Sequence, residues 1–429
     1  VKILEPFASD EVVFGQDDVL LTKAEFLTLV RKTARYVDET FPDAGIVGVR
    51  GDNNIYGLAL VVGVAATGRN VLPLASLMDG MANDYLIRVT KCEDFIGYGS
   101  EFDHSDPLLF LDRPEGEFAS VFGGIVSSSS GSTGLPKVSL VSPFTFSAES
   151  MGETMSAVTG DLPRKAFYSP PLMASASVFL CLTGLGFKTY LTNERPSTEV
   201  ISAMAQKYGI TMLSARPSML ERFMAQGVGE IPGIRALLSS GAPLTEEQLA
   251  YARESMRVEH IVDAYATTEA GLIGIRDALA GGPFEILPGV AIVSSEGDNF
   301  TVRSSFIMGL YDGEGGLEYG ADRVIDDIVE HDGNAITPVG RKVKKVRVSG
   351  FSVPLELVNR AAGSIDGVLD FKITVASTGK ASAAIKMRYT GMQEDPEVVR
   401  ARLNELLPFA YAPKVVEFVS MDEWGAARC

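Results

Sequence analysis

The 429-residue sequence is poor in cysteine: Cys92, Cys181 and Cys429 are its only three. They are too few and too scattered for a disulfide framework or a cysteine-rich zinc site, which points to a reducing, cytoplasmic setting. Histidine is equally scarce, and His104, His260 and His331 lie far apart with no metal-ligand spacing. Positive charge is in deficit, with 38 Lys and Arg against 55 Asp and Glu and a net charge of −17. Such a balance repels phosphate backbones and anionic lipid, so it argues against a broad nucleic-acid footprint. Long apolar runs are missing too. The longest, Leu58 to Ala66, is too short to span a bilayer, and the opening Val1-Lys2-Ile3-Leu4-Glu5-Pro6 lacks the pattern of a signal peptide. What is present is ordinary: 46% hydrophobic and 22% charged residues are the proportions of a soluble globular protein. The length suits one large domain and a smaller one.

From Thr22 to Phe41 the apolar residues Phe26, Leu27, Val30, Ala34 and Val37 recur at helical spacing. Thr22 and Glu25 form a capping box at the start of this helix. The chain then runs through Pro42-Asp43-Ala44-Gly45 into the β-branched Ile46-Val47-Gly48-Val49, and Leu58 to Ala66 followed by Asn70 to Leu74 repeats helix then strand. The order continues through Ser202–Tyr208, Thr211–Ser214, Ser218–Gln226, Ile234–Ser239, Glu246–Met256 and His260–Ala264. Such alternation predicts a parallel sheet covered by helices, doubly wound. After Gly289 the texture changes to short strands at Ala291–Val293, Phe300–Arg303 and Val324–Ile325, separated by Gly, Asp and Glu turns, as in an antiparallel β-rich subdomain. The run Arg341-Lys342-Val343-Lys344-Lys345-Val346-Arg347 concentrates positive charge. It reads either as a solvated strand edge or as the opening of a separate small α+β unit, with Gly340-Arg341 as the boundary. The second reading divides the chain into an N-terminal domain at 1–340 and a C-terminal domain at 341–429.

The segment Val126-Ser127-Ser128-Ser129-Ser130-Gly131-Ser132-Thr133-Gly134-Leu135-Pro136-Lys137 follows an apolar stretch from Phe122. By composition alone it is a flexible linker. Against that, a strand feeds it, a proline stiffens its exit and a lysine ends it. Glycines let backbone N–H groups turn toward an anion, hydroxyls add donors and lysine adds a point charge, the makings of a loop that holds polyphosphate. It is not a Walker A loop, because Leu135-Pro136 separate Gly134 from Lys137 and Val138 follows. Two further strand ends carry polar residues: Ser239-Ser240-Gly241-Ala242-Pro243-Leu244, and Asp263-Ala264-Tyr265-Ala266-Thr267-Thr268-Glu269. In an open α/β sheet ligands bind beyond the carboxyl ends of strands, so three polar loops there predict one crevice. Asp326-Asp327 could accept both hydroxyls of a ribose diol, and Arg341 supplies a fixed cation; each also reads as a surface turn.

In this order the segments resemble the adenylate-forming superfamily of acyl- and aryl-CoA synthetases, peptide-synthetase adenylation domains and firefly luciferase. The resemblance covers nearly the whole chain. Ser129-Ser130-Gly131-Ser132-Thr133-Gly134-Leu135-Pro136-Lys137 is similar to the family's phosphate loop, and Tyr265-Ala266-Thr267-Thr268-Glu269 to its aromatic–Gly–x–Thr–Glu motif, with Ala266 in place of glycine. Ile325-Asp326-Asp327 falls where the family has Thr-Gly-Asp, and Gly340-Arg341, Gly350 and Glu356 match the start of the family's small, mobile C-terminal domain in spacing. The resemblance implies a ligase that joins a carboxylic acid to AMP from ATP, releases pyrophosphate, and passes the acyl group to a thiol, either coenzyme A or the phosphopantetheine of an acyl carrier protein. It implies that the loop to Lys137 grips the phosphates and that Thr268 adds a hydroxyl. It further implies that Glu269 holds Mg²⁺, Tyr265 stacks on adenine beside Gly241-Ala242-Pro243, and Asp327 with Arg341 fixes the ribose.

Two departures qualify this. The family's C-terminal Gly-Lys lysine aligns with Ala426 in Gly425-Ala426-Ala427-Arg428-Cys429, and Val343 stands at the hinge position commonly Asp or Lys. A degenerate nucleotide- or acyl-binding module is therefore the competing reading. The acyl pocket begins at Met173-Ala174-Ser175, after Tyr168-Ser169-Pro170-Pro171-Leu172. No Asp there can pair with a substrate ammonium, which favours an aryl or fatty acid over an α-amino acid; Met173 and Phe179 equally read as core filling.

Overall fold

The computed structural model describes residues 4–51, 54–75, 80–97, 115–129, 137–142, 144, 155–156, 159–168, 172–192, 196–296, 299–312, 314–320, 322–341, 345–348, 351–377, 383–392, 395–407 and 411–420. The chain is mixed α/β and separates into two compact units. The first comprises Val1–Met78, Asn83–Ser128 and Val138–Gly340, the second Asp79–Ala82, Ser129–Lys137 and Arg341–Cys429.

The first unit is built on helices whose ends are satisfied by side chains. Helix Lys23–Thr40 starts at the Thr22–Glu25 capping box, with both reciprocal bonds formed, and buries Phe26, Val30, Ala34 and Val37 along one stripe. An N-cap of this kind contributes about 1 kcal/mol. Helix Ile55–Ala66 is buried on nearly every side, which accounts for the apolar run at Leu58–Ala66: it is a core helix, not a membrane span. Asn54 Oδ1 accepts from Gly57 N at 2.7 Å, and buried Gln16 Oε1 accepts from Ile55 N at 2.9 Å. No helix among the described residues is long and apolar enough to cross a membrane.

Two large sheets and one small one carry the unit. In spatial order the eleven-stranded sheet runs Val19–Thr22, Val12–Gln16, Lys188–Leu191, Lys165–Tyr168, Met212–Ser214, Ala236–Ser240, His260–Thr267, Gly271–Asp277, Phe284–Ile286, Ala335–Arg341, Asp327–Asp332. From Val12–Gln16 to His260–Thr267 every pairing is parallel, as the alternation predicts. Beyond the last strand of that alternation the pairing changes, and His260–Thr267, Gly271–Asp277, Phe284–Ile286 and Ala335–Arg341 pair antiparallel. The reason is connection length: three residues join Thr267 to Gly271, enough for a hairpin and far too few for a crossover.

The seven-stranded sheet holds Asp94–Gly97, Ile46–Gly51, Asn70–Ala75 and Ile125–Ser129 as parallel neighbours, then Lys137–Val141, Ile307–Tyr311 and Leu317–Tyr319. The short strands after Gly289 form the antiparallel sheet Val290–Glu296, Asn299–Ser304, Asp322–Ile325.

In the second unit, Lys345–Val348 pairs with Phe351–Pro354 as a hairpin. Val368–Ser377, Ala383–Gly391 and Val415–Phe418 form a sheet, accompanied by helices Leu355–Gly363 and Pro396–Leu406. Alternate residues Ile385, Met387 and Tyr389 face a core with Val358, Val399 and Leu403.

Candidate active site

Two of the predicted polar loops are neighbours. Parallel register sets Ser240 beside Ala264, so the turn at Gly241 and the last residues of the His260–Thr267 strand leave the sheet side by side. Gly241 has φ 86, a left-handed conformation that glycine takes at little cost. Exposed Gly241 and Pro243 flank half-buried Ala242. Tyr265, Thr268 and Glu269 are all half-buried. Tyr265 lies in the strand, and Thr268 and Glu269 in the turn after it, which Thr267 Oγ1 braces by accepting from Ala270 N at 3.1 Å.

The carboxylate predicted to meet a ribose comes from much farther away. Asp327 opens the strand Asp327–Asp332, four strands along the same sheet from Tyr265. At about 4.8 Å per strand a flat sheet would put them roughly 19 Å apart. The Tyr265 hydroxyl nevertheless donates to Asp327 Oδ2 at 2.7 Å, so this end of the sheet curls. Register shows how. Tyr265 pairs with Gly274 but Ala266 with Leu272, which leaves Ile273 as the extra residue of a β-bulge; bulges sharpen local twist. Apolar side chains fill the inside of the curl, among them Ile273, Phe284, Ile286, Phe300, Ile325 and Ile336, with Tyr265 packed against them. Asp327 itself is 4% exposed.

Beneath Tyr265 lies a pair that sequence reading passed over. Asp263 stands two residues before Tyr265 and so on the same strand face; it is buried, and its Oδ2 accepts from Arg276 Nε at 3.1 Å and Nη2 at 2.9 Å. Burial pushes the Asp263 carboxyl up, and the arginine only partly offsets this. Arg276 also donates to Gly282 O at 3.0 Å, and its guanidinium lies 4.4 Å over the Phe284 ring. The only available signal was alternation: an Asp and a Tyr at i and i+2 of a strand share a face.

The other predicted residues are placed as follows. Lys137 is half-buried at the start of strand Lys137–Val141, and Ser129 ends strand Ile125–Ser129. Ser130, Gly131, Ser132, Thr133 and Gly134 lie outside the described residues, as does Ala426. Arg341 ends the strand Ala335–Arg341, and Met173, Ala174 and Ser175 occupy the first turn of helix Leu172–Gly184. Phe179 is core: it is fully buried and packs on Phe14 and Tyr168 with ring centroids 5.4 and 5.5 Å apart.

Among the described residues no group of three or more His, Cys, Asp or Glu could hold a metal ion. His260 Nδ1 lies 3.5 Å from Asp277 Oδ2, and His331 Nε2 2.9 Å from Gly333 O. One half-buried carboxylate, Glu269, beside the Thr268 hydroxyl suits Mg²⁺, which takes one or two carboxylates and fills its octahedron with phosphate and water. Burial raises the Cys92 thiol to about 11 and Cys181 to about 12, so neither is a nucleophile at neutral pH.

Residues 126–290 match the family model described as AMP-binding enzyme. No curated protein matches the chain by sequence. Solved structures do match along its length. The amide bond synthetase McbA from Marinactinospora thermotolerans is 18% identical, with TM-score 0.75 over 97% of this chain and 94% of that one. A double mutant of o-succinylbenzoate CoA synthetase, MenE, from Bacillus subtilis, bound with its product analogue, is 14% identical, with TM-score 0.78 over 98% and 94%. PA1221, an NRPS protein containing adenylation and PCP domains, is 16% identical, with TM-score 0.75 over 97% and 94%. At these identities the structural likeness is one of fold.

Proposed function

We propose that the chain is a member of the adenylate-forming superfamily, as the match of residues 126–290 to the AMP-binding enzyme model and the shared fold support, and that it activates an aryl or fatty carboxylic acid with ATP and transfers the acyl group to a thiol, coenzyme A first among them. The observation that carries this reading is the Tyr265–Asp327 hydrogen bond. It joins an aromatic face to a carboxylate at the end of a strand, beside the Gly241 turn, which is the pairing a nucleoside needs: a surface for the base and an acceptor for ribose hydroxyls.

In this reading Tyr265 stacks on adenine along the backbone of Gly241, Ala242 and Pro243, and Asp327 accepts from the ribose. Ser129 to Gly134 and Lys137 donate to the β- and γ-phosphates, Arg341 adds a fixed cation, and Met173, Ala174 and Ser175 border the acid. An oxygen of the substrate carboxylate attacks the α-phosphorus. The bond to the bridging oxygen breaks, and pyrophosphate leaves with the electron pair. Thr268 donates to the phosphates and Glu269 would hold Mg²⁺; bound there, the metal offsets the charge that builds on the leaving group. A thiolate then attacks the acyl carbon and expels AMP. Residues 1–340 carry ATP and the acid, and 341–429 form a small domain that moves between the two half-reactions. The setting is the cytoplasm.

The acceptor is open to a second reading, since relatives of this fold include an amide bond synthetase and an adenylation domain joined to a carrier. Pyrophosphate release across a panel of aryl, fatty and α-amino acids, with coenzyme A, a phosphopantetheinylated carrier protein or an amine as acceptor, tests both. Acid-dependent release with thioester formation supports the proposal. Release that yields only amide replaces the acceptor, and no release with any acid refutes the ligase.

A further inference from the structure

The curl of the sheet brings the Tyr265 hydroxyl to Asp327 Oδ2, and what packs on the Tyr265 ring sets its tilt. We propose that Phe284 and Arg276 are positioning residues for nucleoside recognition: they set the plane of the Tyr265 ring and, through its hydroxyl, the orientation of Asp327. The inference rests on the reading of this site as a nucleotide site.

Consecutive cross-strand pairs on one face supply the geometry. Asp263 faces Arg276, and two residues on Tyr265 faces Gly274. Glycine is required there. A Cβ on Gly274 would lie 2.7 Å from Glu285 O and 3.2 Å from Phe284 Cβ, so any side chain would push the Phe284–Ile286 strand away. With no side chain opposite it, Tyr265 packs diagonally on Phe284 instead, with centroids 5.6 Å apart and planes at 47°. Phe284 is in turn covered by the Arg276 guanidinium at 4.4 Å. That guanidinium cannot swing away, because two of its N–H groups are held by the buried Asp263 carboxylate and a third by Gly282 O. A planar cation fixed at three points holds one ring, and that ring limits the tilt of the next.

The end of this stack is a polar contact. The Tyr265 hydroxyl donates to Asp327 Oδ2 at 2.7 Å, which restricts the carboxylate's rotation. A carboxylate already oriented for a diol loses little freedom when it binds one, whereas a rotating carboxylate pays that cost on each encounter. Neither Phe284 nor Arg276 needs to touch the ligand for this to act.

The test compares equilibrium binding of ATP and 3′-deoxy-ATP to the full chain and to Phe284→Leu, Tyr265→Phe and Arg276→Lys. Phe284→Leu keeps apolar volume and loses the ring contacts; Arg276→Lys keeps the charge beside Asp263 and loses the planar cover. For the unaltered protein ATP should bind about tenfold or more tightly than the 3′-deoxy analogue, the worth of a hydrogen bond to a charged acceptor. In Phe284→Leu and Tyr265→Phe that preference should fall to about threefold or less, with a smaller fall in Arg276→Lys, while affinity for 3′-deoxy-ATP changes by less than about threefold. A merely structural lesion would weaken both nucleotides alike. If Phe284→Leu melts below the assay temperature, Tyr265→Phe, which removes one oxygen atom, decides the matter. A retained tenfold preference in Tyr265→Phe, or equal loss of both ligands in Phe284→Leu, overturns the positioning role. Failure of the unaltered chain to bind ATP at all overturns instead the nucleotide reading on which the role depends.

Discussion

Replacing Arg276 by methionine should destabilise the protein in a pH-dependent way that can be worked out beforehand. Arg276 fits beside Asp263 with side-chain exposures of 24% and 4%, and both of its bonds to the carboxylate fall on Oδ2. Methionine fills similar apolar volume over Phe284 but gives the carboxylate nothing. An ion pair that is buried on one side and broken by removing its partner typically costs about 3–5 kcal/mol, because the remaining charge is left desolvated. The carboxyl is already held above its ordinary value, by burial first and against the pull of Arg276. Without the arginine only the raising influence remains. A carboxyl whose folded-state pKa is raised adds stability below its unfolded pKa and loses it as pH rises through the folded value, since the folded state then binds the extra proton. The deficit of Arg276→Met should therefore be small at about pH 4 and reach about 3 kcal/mol or more by about pH 8. Urea denaturation of variant and parent at both pH values, extrapolated linearly, measures it. Asp263→Asn combined with Arg276→Met should recover most of the loss at about pH 8. A deficit equal at the two pH values, or below about 1 kcal/mol at both, would refute the reasoning that an uncompensated carboxylate is responsible.

Four further outcomes follow from particular residues. Lys137→Ala and Glu269→Ala should each lower pyrophosphate release by about 10²-fold or more with little change in melting temperature, since Lys137 opens a strand and Glu269 lies in the turn after one, both half-buried and outside the core; unchanged turnover in both removes the phosphate site. Ala426→Lys should raise adenylate formation by about 10²–10³-fold and leave thioester formation from supplied acyl-adenylate unaltered. If it does not, Lys414 and Arg428 are the cations to substitute next. Ser239→Ala should leave stability unchanged or increase it by up to about 1 kcal/mol in chemical denaturation, because the Ser239 hydroxyl is fully buried and makes no hydrogen bond. Cys92 and Cys181, with thiols raised to about 11 and about 12, should resist iodoacetamide at neutral pH in the folded state and react only in denaturant, as mass spectrometry would record.

Local rules made much of the fold legible. Thr22 and Glu25 announce a helix start because a capping box is completed within four residues, and the structure forms both of its bonds. The strand-helix order from Ser202 to Ala264 predicts parallel neighbours, and those strands do pair in parallel. Periodicity is less informative where burial is complete. The helix Ile55–Ala66 is apolar all round, so its sequence shows no face. The change to antiparallel pairing after Thr267 was written only in the shortness of a turn.

The site divides along the same line. Sequence by itself determined which chemical groups are available: an aromatic ring, two hydroxyls and a carboxylate in the six residues after Asp263, and a further Asp at 327. These are covalent facts about one stretch of chain, and strand-end placement needs only alternation. That Tyr265 reaches Asp327 was decided by tertiary structure alone, since the contact spans 62 positions and four strands. It exists because the Ile273 bulge and the bare Gly274 let the sheet curl around Phe284. The same holds for Asp263 and Arg276, each an unremarkable charged residue in the sequence. A buried charge has meaning only through its partner, and a partner thirteen residues away across a hairpin is a property of register, which the folded sheet sets by how its side chains pack.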